Sequence, residues 1–189
     1  MTLMPAFKIG FWNGWIFMSV FLIQMLAMMF AGSRVMKRSH VPAQAREARG
    51  KKYIGLMANF SWFLALFYSV FLPFKLGTIW FYIGLLVFIF GVIILILSTV
   101  SFMATPHDQL ILRGVYRFSR HPMYLSTLFI CLGCGVAVGS LLFVLITMVM
   151  AFCFHQEALV EESYCLDLYG ETYQKYMDSV PRWGGRLKK

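Results

Sequence analysis

The sequence predicts an all-α, polytopic membrane protein of about five transmembrane helices, the last two forming a hairpin, with a polar cytoplasmic C-terminal cap. Three observations predict it. Of 189 residues, 60% are hydrophobic and 13% charged, with mean hydropathy +0.71, whereas globular domains average about 45–50% apolar and about 25% charged. Runs without Asp, Glu, Lys or Arg span 11–33, 53–74, 76–107 and 121–156, and each reaches the roughly 20 residues that cross a hydrocarbon core. The basic residues lie between these runs, not within them.

The first crossing is read over 11–32. Only Lys8 precedes it and no small-residue cleavage site follows, so it is expected to stay in the protein as an anchor rather than be removed as a signal peptide. The second and third crossings fall at 54–74 and 78–103. The last run is long enough for two, and Gly133, Gly135, Gly139 and Ser140 near its middle divide it into 122–138 and 140–158. All are expected to be helical, because unpaired backbone groups are intolerable in lipid. No repeat or linker divides the chain, so 1–189 reads as one membrane domain, with three N-terminal helices in 1–103 and the hairpin and tail in 104–189.

Charge orients these elements. The first loop (Arg34 to Lys52), the connection before the hairpin (Arg113, Arg117, Arg120) and the tail hold 15 of the 17 basic residues, leaving Lys8 and Lys75 on the other side. By the positive-inside rule the N-terminus is outside and the tail cytoplasmic. The net charge of +9 borders apolar helices, so the expected partners are membrane lipids with anionic headgroups rather than nucleic acid.

Polar side chains concentrate in "PHDQLILRGVYRFSRHPMY", from Pro106 to Tyr124, and "HQEALVEESYCLDLYGETYQKY", from His155 to Tyr176. A hairpin brings these stretches together, so Arg120, His121 and Tyr124 should approach Glu157, Glu161 and Glu162. Pro122 suits the first turn of a helix, which would leave neighbouring backbone N–H groups free for a ligand. Glu157 and Glu161, four apart, share one helical face, and Glu162 points about 100° away. The competing reading is an interfacial salt bridge from Arg120 to Glu161. Ionisable residues near hydrocarbon tend to face a cavity or a partner.

No metal site is expected. His155 with Glu157 and Glu161 lacks the second histidine or thiolates of a zinc site. The CxxC of Cys131 and Cys134 lies in an apolar helix, where cysteines are packing residues. "GCGVAVG" follows no strand and is not a dinucleotide fingerprint; Gly135 and Gly139 instead suit close helix packing.

At these residues the sequence resembles the isoprenylcysteine carboxyl methyltransferase family and, more broadly, the membrane methyltransferases that include phospholipid N-methyltransferases. The resemblance is carried by "GVYRFSRHPMY" from Gly114, a hydrophobic helix, the pair Glu161 and Glu162, "YGETYQKY" and "VPRW", between Asp108 and Trp183. It implies a C-terminal cofactor module enclosing S-adenosylmethionine, with S-adenosylhomocysteine as product. The cofactor contacts it implies are Asp108, Gln109, Leu110, Ile111, Tyr116, His121, Pro122, Met123, Tyr124 and Glu161. Alignment through Gly170 favours Glu161 over Glu162. The arginine of the Arg-His-Pro motif is Arg120, read as catalytic together with Glu157.

The resemblance implies methyl transfer to a lipophilic acceptor, a carboxylate or an amine, including a prenylated or lipid molecule. One departure bears on the choice. Eukaryotic isoprenylcysteine enzymes carry an arginine four residues before the glutamate, where this chain has Glu157, and a glutamate repels a carboxylate unless protonated or paired. Two other classes compete: an NADPH-dependent membrane sterol or lipid reductase, which would need extra basic residues for a 2′-phosphate, and a non-enzymatic membrane subunit.

Overall fold

The computed structural model describes residues 1–3, 7–30, 47, 52–106 and 109–185. Asp108, residues 186–189 and most of the basic first loop lie outside the described residues. The elements are α1 (Trp15–Met18), α2 (Val20–Phe30), α3 (Lys52–Ser69), α4 (Ile79–Ala104), a 3-10 turn (Gly114–Arg117), α5 (Pro122–Ala137), α6 (Leu141–Tyr169) and α7 (Glu171–Ser179). No strand occurs among the described residues, which agrees with the all-α expectation; two isolated bridges, Thr2 with Ser140 and Asn13 with Pro73, are the β contacts they contain.

Two described helices, α4 with 26 residues and α6 with 29, are long and apolar enough to cross a membrane. The segment Trp15–Phe30 and α5 are shorter. A turn at Ser19 interrupts the first expected crossing, whose residues 11–14 are not helical because Asn13 binds elsewhere. Its side-chain amide donates to the carbonyls of Lys8 and Val70, each at 2.6 Å. Leu141 and Leu142 donate to the carbonyls of Thr2 and Leu3. The N-terminal segment is thereby stitched to the α3–α4 connection and to the hairpin turn.

α4 and α5 form the closest helix pair. A Cβ on Gly84 would collide with the backbone of Ala137 and Gly133, one on Gly133 would lie 2.6 Å from the Phe88 nitrogen, and one on Gly91 would lie 2.9 Å from Ile130. Small residues at these positions let two apolar helices bring their backbones together. Gly135 faces Phe143 and Val144 of α6. Gly139, at φ +68°, turns the hairpin with Lys75 laid against it, so its role is the turn rather than the helix packing expected. Ser140 caps α6 by accepting from the Phe143 N–H at 3.2 Å; such a cap satisfies one of the four unpaired donors at a helix start.

α6 continues well past residue 158, where polarity begins. Nothing between Glu157 and Tyr169 breaks a helix; Gly170, at φ +55°, does. At 1.5 Å per residue the helix is about 43 Å long, and at 3.6 residues per turn its last four turns or so carry the acidic residues from Glu157 onward. α7 then folds back, burying Tyr173 and Tyr176 against Cys165 and Val180. All four cysteines are buried and none forms a disulfide.

Candidate active site

The site begins at the entry to α5. Residues 180–183 run beside it as a strap: the N–H groups of Arg120 and His121 donate to the carbonyls of Pro181 and Arg182 at 3.1 and 3.4 Å, and the Ser119 hydroxyl donates to the Arg182 carbonyl at 2.9 Å. Of the backbone N–H groups neighbouring Pro122, those of Arg120 and His121 are therefore engaged by the chain. Two further hydrogen bonds hold this region: Tyr176 donates its hydroxyl to the Tyr116 carbonyl at 2.7 Å, and the Trp183 indole donates to His155 Nδ1 at 3.3 Å.

Glu162 is the hub beneath the strap. Arg182 grips it with Nε on Oε1 at 2.9 Å and Nη2 on Oε2 at 2.6 Å, the two-point geometry in which guanidinium binds carboxylate best. His121 Nε2 lies 3.1 Å from the same carboxylate and Arg120 Nη2 3.4 Å from it. The Glu162 side chain is 4% exposed. The ion pair drawn from sequence between Arg120 and Glu161 is thus made with Glu162, because the 100° step around the helix turns Glu162 toward the start of α5 and the strap. Its hydrogen bonds also raise the Arg182 pKa above the ordinary arginine value.

Glu157 and Glu161 occupy the other face, as their spacing requires. Tyr124 stands between them, its hydroxyl 3.3 Å from Glu157 and 3.2 Å from Glu161. One hydroxyl proton serves one carboxylate at a time, and while Glu157 holds it Glu161 has acceptor capacity for a ligand. The Tyr124 ring is stacked between His121 (5.5 Å, 7°) and Phe154 (4.8 Å, 20°), which fixes it. His121 Nδ1 lies 3.6 Å from Glu161, so the imidazole spans the two faces of α6.

A cavity of about 640 Å³ opens on this group, within the roughly 300–1,000 Å³ typical of ligand sites. Leu110, Ile111, Tyr116, Arg120, His121, Pro122, Met123, Tyr124, Glu157 and Glu161 all line it, so the structure brings together ten of the twelve residues singled out in the sequence. Gln109 is described but does not line it, and Asp108 falls outside the described residues. Arg120 carries the most telling feature. Its side chain is 9% exposed, yet Nε and Nη1 are buried with no hydrogen-bond partner among the described residues. Buried guanidinium donors left unpaired are costly, and an anionic group in the cavity that Arg120 lines would draw them out to it.

Sequence reasoning missed Glu162 as the hub and assigned no role to Arg182 or Trp183, although "VPRW" stood out in a polar tail. It also missed Gln24, Asn59 and Trp62, which line the cavity from α2 and α3.

Fold and site together fit one class of membrane protein. The chain belongs to the phospholipid methyltransferase family, whose sequence profile matches residues 77–172, from the cap of α4 to the start of α7. Within that class it is similar to the protein-S-isoprenylcysteine O-methyltransferase of Schizosaccharomyces pombe, 30% identical over 73 residues, which are 38% of this chain. The match spans about a third (31%) of that relative's own length.

Proposed function

We propose that the protein is an integral membrane methyltransferase that takes its methyl group from S-adenosylmethionine and gives it to a lipophilic acceptor, a carboxylate or an amine. The observation that carries the proposal is the buried, half-unpartnered Arg120 in a cavity that also presents Glu161. The amino-acid end of S-adenosylmethionine is a zwitterion, and this pair fits both its charges: the Arg120 guanidinium would hold the carboxylate, Glu161 the ammonium. When bound, the cofactor supplies an electrophilic methyl group on a sulfonium.

The chain's residues supply position and environment. The face of Tyr116 offers cation–π contact to a sulfonium, whereas those of Tyr124 are taken by His121 and Phe154. Glu162 and the strap fix Arg120 and His121, so that the clamp is preorganised. Alignment of donor and acceptor at about 3–3.5 Å can account for most of the rate of such a displacement, and the apolar wall excludes water. Glu157, on the face of Glu161, stands toward the acceptor: it would take the proton of an amine, or hydrogen-bond a carboxylate when itself protonated.

The same reading has five crossings, N-terminus outside and the site at the cytoplasmic side, where a polar cofactor arrives from the cytosol and a lipid acceptor from the bilayer. Residues 104–189 act as the cofactor module, and the family match to 77–172 supports this. Among the described lining residues Arg120 is the one Lys or Arg, which argues against the 2′-phosphate of NADPH. Calorimetry on the detergent-purified protein tests the proposal: S-adenosylhomocysteine should bind and NADPH should not. Binding of NADPH alone would overturn it.

A further inference from the structure

The cavity has two walls. One holds the clamp just described and belongs largely to the family match. The other comes from α2 and α3, which precede residue 77 and lie outside that match. It is apolar, with Phe21, Met25, Met28 and Trp62, except for two carboxamides, Gln24 and Asn59.

An amide in an apolar helix is costly unless hydrogen-bonded, and its ordinary use is to tie helices together. Gln24 does this weakly. Its Nε2 donates to Thr99 of α4 at 3.5 Å, the outer limit of a hydrogen bond, which leaves its carbonyl oxygen and second N–H uncommitted among the described residues. Asn59 is exposed on this wall and makes no hydrogen bond among the described residues.

Register puts both amides at the depth of the clamp. Ile54 of α3 packs in one cluster with Val160 of α6, and the two helices run antiparallel, so Asn59 stands level with Phe154 and His155. Gly91 of α4 abuts Ile130 of α5; eight residues on, Thr99, which holds Gln24, stands level with the start of α5. The amides therefore face the cavity at the height of Tyr124 and Glu157.

We propose that Gln24 and Asn59 form the polar part of an acceptor subsite that recognises an uncharged carbonyl or hydroxyl group of the lipophilic acceptor. The proposal rests on the methyltransferase reading above. No charged side chain from α2 or α3 lines the cavity, so this wall has nothing to pair with an ionic head. Carboxamides both donate and accept, which suits a neutral polar group, and the methionines and aromatics around them suit the adjoining hydrocarbon. The ester carbonyls of a glycerolipid and the amide carbonyl of a prenylated amino acid share this chemistry.

Two matched probe pairs distinguish these sources on the full-length purified chain, titrated with and without S-adenosylhomocysteine. The first is diacyl phosphatidylethanolamine against its dialkyl ether counterpart; the second is N-acetyl-S-farnesylcysteine against S-farnesylthiopropionate, which lacks the amide. Wild type should bind the carbonyl-bearing member of one pair at least about fivefold more tightly, and that pair names the source. Fivefold is about 1 kcal/mol, the size of one neutral hydrogen bond. Asn59→Leu and Gln24→Leu should bring the preference below about twofold while S-adenosylhomocysteine affinity stays unchanged. If Asn59→Leu does not fold, Asn59→Ala reads the same loss. The subsite is overturned if wild type prefers neither pair's carbonyl member, if both variants keep the preference, or if they lose the cofactor equally. Failure of wild type to bind S-adenosylhomocysteine would fell the methyltransferase reading, and the titrations without it would still decide the subsite.

Discussion

Replacing Glu162 by Gln separates the hub from the cavity. The carboxylate accepts from Arg182 twice, at 2.9 and 2.6 Å, lies 3.1 Å from His121 Nε2 and 3.4 Å from Arg120, and is 4% exposed. Removing one partner of a buried ion pair costs about 3–5 kcal/mol, because the other charges are left uncompensated. The amide retains one acceptor oxygen, which places the expected loss near the lower end, about 3 kcal/mol. At roughly 2–4 °C per kcal/mol for a chain of this size, melting in detergent should fall by about 6–12 °C. Glu161→Gln is the control one residue away. Its side chain is 23% exposed and faces the cavity, so melting should move by less than about 2 °C while S-adenosylhomocysteine affinity falls about tenfold or more, the loss expected for one charge-assisted hydrogen bond. Thermal melting and calorimetry on the two variants read both quantities. The division of labour between the glutamates is refuted if Glu162→Gln melts like wild type, or if Glu161→Gln leaves cofactor affinity intact.

Arg120→Lys keeps the charge but replaces the planar fork by a point donor; cofactor affinity should drop at least about tenfold with melting little changed, and an unchanged dissociation constant would remove Arg120 from the clamp. Gly133→Ala sets a methyl group 2.6 Å from the Phe88 nitrogen, so α4 and α5 must part; overpacking of this kind costs about 1–3 kcal/mol, visible as a lower melting temperature. For orientation, Lys175→Cys in α7 should resist a membrane-impermeant maleimide applied to intact cells, whereas Gly10→Cys near the N-terminus should react. The reverse pattern would invert the topology, and the native cysteines, all buried, should contribute little background.

Much of the site was legible because helical spacing is local. The i, i+4 separation of Glu157 and Glu161 fixes a shared face whatever surrounds them, and a glycine-centred apolar run of 36 residues can only fold back on itself. The end of α6 was misplaced because polarity was taken for termination; charged residues do not stop a helix, whereas Gly170 does. The partner of Arg120 was misassigned for a different reason. Choosing between Glu161 and Glu162 requires knowing what stands beside each, and the deciding neighbour, Arg182, is 20 residues away on a segment without regular structure. Asn59 and Gln24 were invisible for a third reason: an isolated amide in an apolar helix carries no periodicity to say which side it faces.

The strap also sets an order of events during synthesis. Arg182 and Trp183 follow in the chain every helix they touch. When α5 and α6 have already emerged, Glu162 still waits for its strongest partner, and the N–H groups of Arg120 and His121 wait for the carbonyls of residues 181 and 182. At about 5–20 residues per second, the 20 residues between Glu162 and Arg182 take about 1–4 s to make. The cavity walls can therefore assemble in the bilayer before the clamp is rigid, and the site becomes competent last, after the membrane part has been committed to its place.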